Sequence, residues 1–166
     1  MRQKYQQGFS LLEVIVSIFL ITTGMLAILS LDNYSLKAIS SNKAQIIASG
    51  LAQEGIEIVR NWRESTCDSA GDCSSWYNEI SENSRDYIGQ YNFVGLFPYV
   101  NAPLLYAASS NLGYQYDDGS PTQFYRKITL EKAPAPLNSQ DEVQVIVSVS
   151  WENGEIKAED RLWKSR

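Results

Sequence analysis

The hydrophobic pattern divides the chain into a long helical part and a β-rich part. An apolar run over residues 9–31 contains a single charged residue, Glu13. At about 1.5 Å per residue, a helix of this length is roughly 35 Å long and crosses a hydrocarbon core of about 30 Å. Beyond the run, apolar residues recur every three or four positions as far as Trp62, which is the period of an amphipathic helix. We therefore predict one helix over residues 9–64, half membrane-spanning and half amphipathic.

Small residues give this helix a narrow face. These residues are Ala44, Ala48, Ala52 and Gly55. Their small side chains predict that the helix lies close to a sheet or to another helix. No proline interrupts the chain before Pro98, which permits an unusually long helix. Within the membrane half, Thr22-Thr23-Gly24 is the predicted place for a bend or for local melting, because glycine weakens a helix.

The C-terminal part of the chain is typical of antiparallel strands. Residues 124–131 predict one strand. Residues 143–151 alternate strictly, with four valines and a tryptophan in one set, which predicts a strand with one buried face. Asn153-Gly154 is a favoured pair for a two-residue hairpin turn, and residues 155–164 then form the returning strand. A long helix followed by such strands predicts an α+β fold, with the helix packed on a C-terminal antiparallel β-sheet.

The region between helix and hairpin is less regular. A short helix is predicted over residues 75–84, with Trp76 and Ile80 on one face, and a strand over residues 87–94. Turn-forming residues predict loops over residues 111–121 and 133–139.

Aromatic residues concentrate in this middle region. Seven of the ten tyrosines lie from Tyr87 to Tyr125. Interface cores favour tyrosine and phenylalanine, so the segment could form an adhesive or subunit-contacting surface. The simpler interpretation is that the rings fill a small core and edge the sheet. We favour the second interpretation, because the region has little other apolar mass.

Composition restricts the chemistry that the protein can perform. The 166 residues carry a net charge of −5 and include no histidine, so histidine bases and histidine metal ligands are excluded. Asp68 and Asp72 could hold calcium at the surface, but a solvated acidic loop is the simpler interpretation. We expect no enzymatic activity, no cofactor and no metal. The acidic balance also argues against nucleic acid as a partner, since such binding needs a basic patch.

Two features concern the cellular compartment. Arg2 and Lys4 precede the apolar run, and basic residues flanking a membrane helix favour the cytoplasmic side, so the rest of the chain would lie outside. Cys67 and Cys73 are six positions apart, and outside the cytoplasm such a pair predicts a disulfide that closes a small loop.

The start of the chain resembles a known family. Gly8-Phe9-Ser10-Leu11-Leu12-Glu13, followed by an apolar helix, is similar to the N-terminal signature of type IV prepilins and of the pseudopilins of type II secretion. The resemblance implies that prepilin peptidase cleaves after Gly8 on the cytoplasmic side and methylates the new N-terminal residue, Phe9. It also implies that Glu13 pairs with the N-terminal amine of a neighbouring subunit in a filament.

Electrostatics gives this pairing a physical reason. Cleavage after Gly8 exposes an α-amine that is largely protonated at neutral pH. Within one helix the amine and Glu13 are too far apart along the axis, but between two staggered subunits they can meet, and a low dielectric strengthens the contact. The pair would therefore favour one axial register, as a buried polar group does in a coiled coil.

The two alternatives for this N-terminal segment are a secretory signal peptide and a plain membrane anchor. A secretory signal peptide ends in a small-residue cleavage site, and Ser30-Leu31-Asp32-Asn33 offers none. A plain membrane anchor fits the length of the run but gives no reason for Glu13.

The resemblance implies three parts and a structural role. Residues 1–8 are a cleaved leader, residues 9–31 are the transmembrane and filament-core half of the helix, and residues 32–166 are an extracytoplasmic pilin-like domain. The implied function is that of a structural subunit, a minor pilin, of a type IV pilus or related filament. The alternatives are a minor pseudopilin of a type II secretion system and a ligand-binding, DNA-binding or adhesive minor pilin.

The same resemblance implies partners and location. The partners are prepilin peptidase, other pilin subunits, the pilus assembly machinery and the membrane. The chain would sit in the inner or cytoplasmic membrane before assembly, and afterwards in a pilus or pseudopilus at the cell surface.

Overall fold

The computed structural model describes residues 10–81, 83, 85–101, 103–108, 113–132 and 141–165. The chain divides into two compact units, Met1–Lys43 and Ala44–Arg166. The elements within the described residues are α1 (Leu11–Thr66), α2 (Ser74–Glu79), β1 (Arg85–Ile88), β2 (Phe97–Pro98), β3 (Leu104–Ala107), β4 (Tyr114–Gln115), β5 (Ser120–Lys132), β6 (Glu142–Trp151) and β7 (Gly154–Trp163).

Helix α1 confirms the predicted long helix and runs without interruption from Leu11 to Thr66. The local melting predicted at Thr22-Thr23-Gly24 does not occur, since these residues remain helical. The hydroxyls of Thr22 and Thr23 donate to the carbonyl oxygen of Phe19 at 3.0 and 2.9 Å. The hydroxyls of both threonines are therefore satisfied within the helix.

The part of α1 from Ala44 onward packs on an antiparallel sheet, which confirms the predicted α+β, pilin-like arrangement. Its small residues lie at the contact, as predicted, and Ala48 and Ala52 are buried. Gly55 is required there, because a Cβ at this position would lie 2.7 Å from Cγ1 of Val147. At the end of the helix, Trp62 meets Trp76 of α2 edge-to-face, with ring centroids 6.1 Å apart.

The sheet is built around β5. Strand β6 pairs along one side of β5, and β7 pairs with β6. On the other side of β5, β1 pairs with its second half and β3 pairs with its first half. Strand β2 then pairs with the outer edge of β1, and β4 with the outer edge of β3. The alternation predicted for β6 is confirmed by its fully buried residues, Val143, Val145, Val147 and Val149.

The β6–β7 hairpin forms as predicted, but its turn is shifted by one residue. Trp151 pairs with Gly154, so the turn residues are Glu152 and Asn153 rather than Asn153 and Gly154. A Cβ on Gly154 would lie 2.7 Å from the ring of Trp151. The glycine is therefore explained by the packing of Trp151 and not by turn geometry.

The middle region departs from its predicted bounds. The short helix is α2, which ends at Glu79, and Trp76 and Ile80 are both buried, as predicted. The strand predicted over residues 87–94 ends instead at Ile88. Beyond it the chain turns, and the amide of Phe93 donates to the carbonyl of Gln90 at 3.3 Å.

The predicted loop over residues 111–121 contains a short strand, β4, and a sharp bend before β5. Gly119 has φ +127° in this bend, and its backbone lies directly against Ala107. Strand β5 begins at Ser120 and is longer than the predicted strand over residues 124–131. The loop predicted at 133–139 lies outside the described residues.

Candidate functional site

Glu13 lies in the first turn of α1, where its amide donates to the carbonyl of Ser10 at 3.0 Å. A carboxylate is favoured at this end of a helix because the helix dipole is positive there. Among the described residues, no side chain or amide forms a hydrogen bond or ion pair with the carboxylate of Glu13. The group is therefore available to a cation from outside this part of the chain.

The helix around Glu13 is an exposed apolar surface. The large apolar side chains from Leu11 to Leu31 are all exposed. Within the described residues, α1 is the one helix long and apolar enough to cross a membrane, and no residue of its most apolar stretch is buried. Such a surface requires lipid or other helices to cover it.

Several polar side chains of α1 between Ser17 and Asn33 are satisfied within the helix. The hydroxyl of Ser17 donates to the carbonyl of Glu13 at 2.7 Å, and the amide of Asn33 donates to the carbonyl of Leu29 at 3.0 Å. Together with the two threonines, these side chains need no partner outside the helix, which suits an environment without water. The carboxylate of Glu13 differs from them, and this difference makes it the candidate functional group.

The predicted processing residues, Gly8 and Phe9, lie outside the described residues. Cleavage after Gly8, methylation of Phe9 and the pairing of its amine with Glu13 therefore stay predictions.

A disulfide joins Cys67, just after α1, to Cys73, just before α2, in agreement with the pairing predicted from their spacing. The carboxylate of Asp68 accepts from the amides of Ala70 and Asp72 at 2.9 and 2.8 Å. Both aspartates shape the loop backbone, because Asp72 in turn accepts from the amide of Ser74 at 2.9 Å. No group of three or more potential metal-binding side chains occurs within the described ranges.

The hydroxyl and the amide of Ser74 hold the pKa of Asp72 below its usual value. Both hydrogen bonds favour the charged form of the carboxyl group. The charge of this carboxylate is therefore stabilised locally, by the side chain and the backbone of Ser74.

A buried arginine at the centre of the domain was not predicted from the sequence. The side chain of Arg126 on β5 is fully buried. Its guanidinium donates to the carbonyl oxygens of Leu51 and Gly89 at 3.2 and 2.7 Å, and it lies 3.2 Å from the carboxylate of Glu54. A signal was present, since Arg126 falls in the inward-facing series of β5 between Phe124 and Ile128.

The aromatic residues from Tyr87 to Tyr125 are partly in the core and partly on the surface, so each of the two interpretations applies to some of them. Tyr87 and Phe124 are buried and belong to the core, as the favoured interpretation predicted. Tyr91, Phe93 and Phe97 are exposed on the segment that follows β1, so part of the segment forms a surface instead.

The comparisons with known proteins concern the N-terminal part of the chain, which contains Glu13. A family model described as the prokaryotic N-terminal methylation motif matches residues 3–29. No curated protein and no solved structure matches the chain. The matched residues contain Glu13 and most of the apolar run. The motif supports a type IV pilin or pseudopilin substrate of prepilin peptidase, and it implies assembly with other pilins.

Proposed function

We propose that this protein is a structural subunit, a minor pilin, of a type IV pilus or related filament. The observation that carries the proposal is the carboxylate of Glu13, which has no partner among the described residues and stands on an exposed apolar helix inside the matched motif. Once lipid or neighbouring helices cover this apolar surface, the charge of Glu13 is buried and requires a partner of opposite sign. In the proposal this partner is the N-terminal amine that processing after Gly8 creates on Phe9 of a neighbouring subunit.

The proposed assembly proceeds from membrane to filament. Residues 9–31 hold the subunit in the inner or cytoplasmic membrane, with residues 32–166 on the outer side. On extraction, the same apolar surface packs among neighbouring helices, and its burial contributes cohesion at about 25 cal/mol per Å². The contact between Glu13 and the methylated amine then selects one axial register. A disulfide suits the extracytoplasmic side, since such bonds persist in oxidising compartments.

The proposed role is architectural and includes no catalysis. The proposed partners are prepilin peptidase, other pilin subunits and the assembly machinery, and the filament emerges at the cell surface. A minor pseudopilin of a type II secretion system is the neighbouring possibility, because the same processing and the same helix serve both assemblies.

The test is N-terminal and intact-mass analysis of the full chain from cells with and without prepilin peptidase. We expect a chain that starts at N-methylated Phe9 only when the peptidase is present. A chain that starts at Met1 in both strains would contradict the proposal and would leave a plain membrane anchor.

A further inference from the structure

The segment between β1 and β3 presents a cluster of apolar side chains to solvent. We call it the aromatic patch, and its members are Tyr91, Phe93, Val94, Phe97 and Val100, which are between 39% and 62% exposed. The rings of Phe93 and Phe97 lie against each other, with centroids 4.6 Å apart. Exposed clusters of this kind mark sites of interaction.

The patch lies in a stretch without charge. Residues 87–116 contain no Asp, Glu, Lys or Arg, although one fifth of the whole chain is charged. The cores of protein interfaces are depleted in charge and enriched in tyrosine and phenylalanine. The composition therefore favours an apolar protein surface as the partner and argues against a phosphate-bearing polymer.

Hydrogen bonds at Gly89 and Gln90 hold the start of the segment that carries the aromatic patch. The guanidinium of Arg126 donates to the carbonyl of Gly89 at 2.7 Å. The side-chain amide of Gln90 donates to the carboxylate of Asp117 at 2.9 Å and accepts from the amide of Tyr116 at 3.1 Å. These ties fix the point from which the segment leaves β1.

The same backbone is held further along. Strand β2 pairs with β1, and the amide of Tyr99 donates to the carbonyl of Asp86 at 3.0 Å. Leu96 points inward and packs against the core. The segment is thus preorganised with its rings outward, which lowers the entropic cost of binding.

Helix α1 carries a surface that the patch can cover. Leu36 and Ile39 are 65% and 60% exposed, lie beyond the apolar run, and are followed by exposed Lys43. The spacing of three and four residues places all three on one helical face. We call this face the α1 stripe. Lipid does not cover it in the proposed topology, so an assembled subunit needs a protein surface there.

We infer that the aromatic patch binds the N-terminal helix of an adjacent filament subunit, on a face with the chemistry of the α1 stripe. Two aliphatic side chains pack on the rings of Phe93 and Phe97. A lysine at the position of Lys43 places its ammonium over an aromatic face, where a cation is attracted. The uncharged patch offers no cation to repel it. This inference rests on the proposed function and names the contact outside the membrane half of the helices.

The test places a photoreactive amino acid at Phe97 of the full chain in cells that assemble the filament. Trp163 is the matched control, since it is an aromatic residue with 50% exposure at the end of the last strand. We expect cross-links from position 97 in sheared filaments to exceed those from position 163 severalfold. The captured peptide should come from the part of a pilin subunit's helix that corresponds to residues 34–43.

Three results would overturn the inference: equal cross-linking at the two positions, no cross-link in filaments, or capture of a carbohydrate or another protein surface. The N-terminus is read from the same sample. A chain that starts at Phe9 but fails the cross-linking test refutes this contact alone, whereas a chain that starts at Met1 refutes the proposed function as well.

Single substitutions provide a second measurement. Phe93→Ser and Phe97→Ser each remove an exposed ring, and we expect each to lower incorporation into filaments about tenfold, the size of a modest interface hot spot. Trp163→Ser should leave incorporation unchanged. Normal incorporation of both patch variants would overturn the inference.

Discussion

The guanidinium of Arg126 on β5 lies 3.2 Å from the carboxylate of Glu54 on α1, with the arginine side chain wholly buried. The same guanidinium donates to the backbone of Leu51 and of Gly89. One side chain of the sheet therefore holds both the helix and the start of the segment that carries the aromatic patch.

Replacing Arg126 should destabilise the domain more than replacing a neighbouring residue on the surface. Arg126→Met leaves the carboxylate of Glu54 and two carbonyl groups without their donor, and we expect a loss of about 3–5 kcal/mol in the free energy of unfolding. Urea denaturation of the full chain in detergent, followed by tryptophan fluorescence, measures it.

Lys127→Met is the matched control, because Lys127 is a half-exposed neighbour whose ion pair with Asp86 contributes at most about 1 kcal/mol. The double variant Glu54→Leu with Arg126→Met should be more stable than Arg126→Met alone, since it removes the unpaired charge. Equal losses in Arg126→Met and Lys127→Met would refute the anchoring role.

Two glycines of α1 should respond in opposite directions to the same substitution. Gly55→Ala places a methyl group 2.7 Å from Cγ1 of Val147, and we expect a loss of about 1–3 kcal/mol from overpacking. Gly50→Ala meets nothing within 4 Å and should gain up to about 1 kcal/mol from helix propensity. Thermal unfolding of the two variants side by side measures both, and a stabilised Gly55→Ala would show that the helix can move away from the sheet.

The carboxylate of Glu13 should matter for assembly and not for insertion. Glu13→Ala removes a charge whose insertion costs about 3 kcal/mol, so we expect the variant to enter the membrane at least as well as the wild type. Its recovery in sheared filaments should fall, because the proposed partner of the N-terminal amine is lost. Ser17→Ala is the control, since the hydroxyl of Ser17 bonds within its own helix. Wild-type recovery of Glu13→Ala would contradict the register mechanism.

The cysteine loop should show a local pH dependence set by Ser74. The pKa of Asp72 is lowered in the folded state, so its contribution to stability is present above the usual pKa of an aspartate and is lost as the pH falls through the lowered value. Ser74→Ala removes the hydroxyl donor, and we expect the pKa of Asp72 to rise toward its usual value. An NMR titration of the carboxyl carbon measures the shift. Ser75→Ala should leave it unchanged, and an identical titration in both variants would reject Ser74 as the cause.

Features that depend on local pattern could be predicted from the sequence. The long helix, the alternating strand of β6 with its hairpin partner, and the disulfide between Cys67 and Cys73 follow from spacing along the chain. Glu13 could also be singled out, since a single charge in an apolar run is visible without any fold, and its role in assembly is what the resemblance to prepilins implies. In each case the residues that create the signal are neighbours in the sequence.

Features that depend on distant contacts were decided by the tertiary structure. Gly154 suggested a turn, but the ring of Trp151 that packs on it explains the residue. Residues 87–94 suggested a strand, but the chain turns after Ile88, where Arg126 and Asp117 hold it. Whether an aromatic ring is buried or exposed in this region depends on which side of the backbone the sheet covers. The sequence by itself determined the helix, the hairpin and the charge within the membrane run, because short-range periodicity specifies them. Only the tertiary structure decided the role of Arg126 and the exposure of the aromatic patch, because both arise from contacts between residues far apart in the chain.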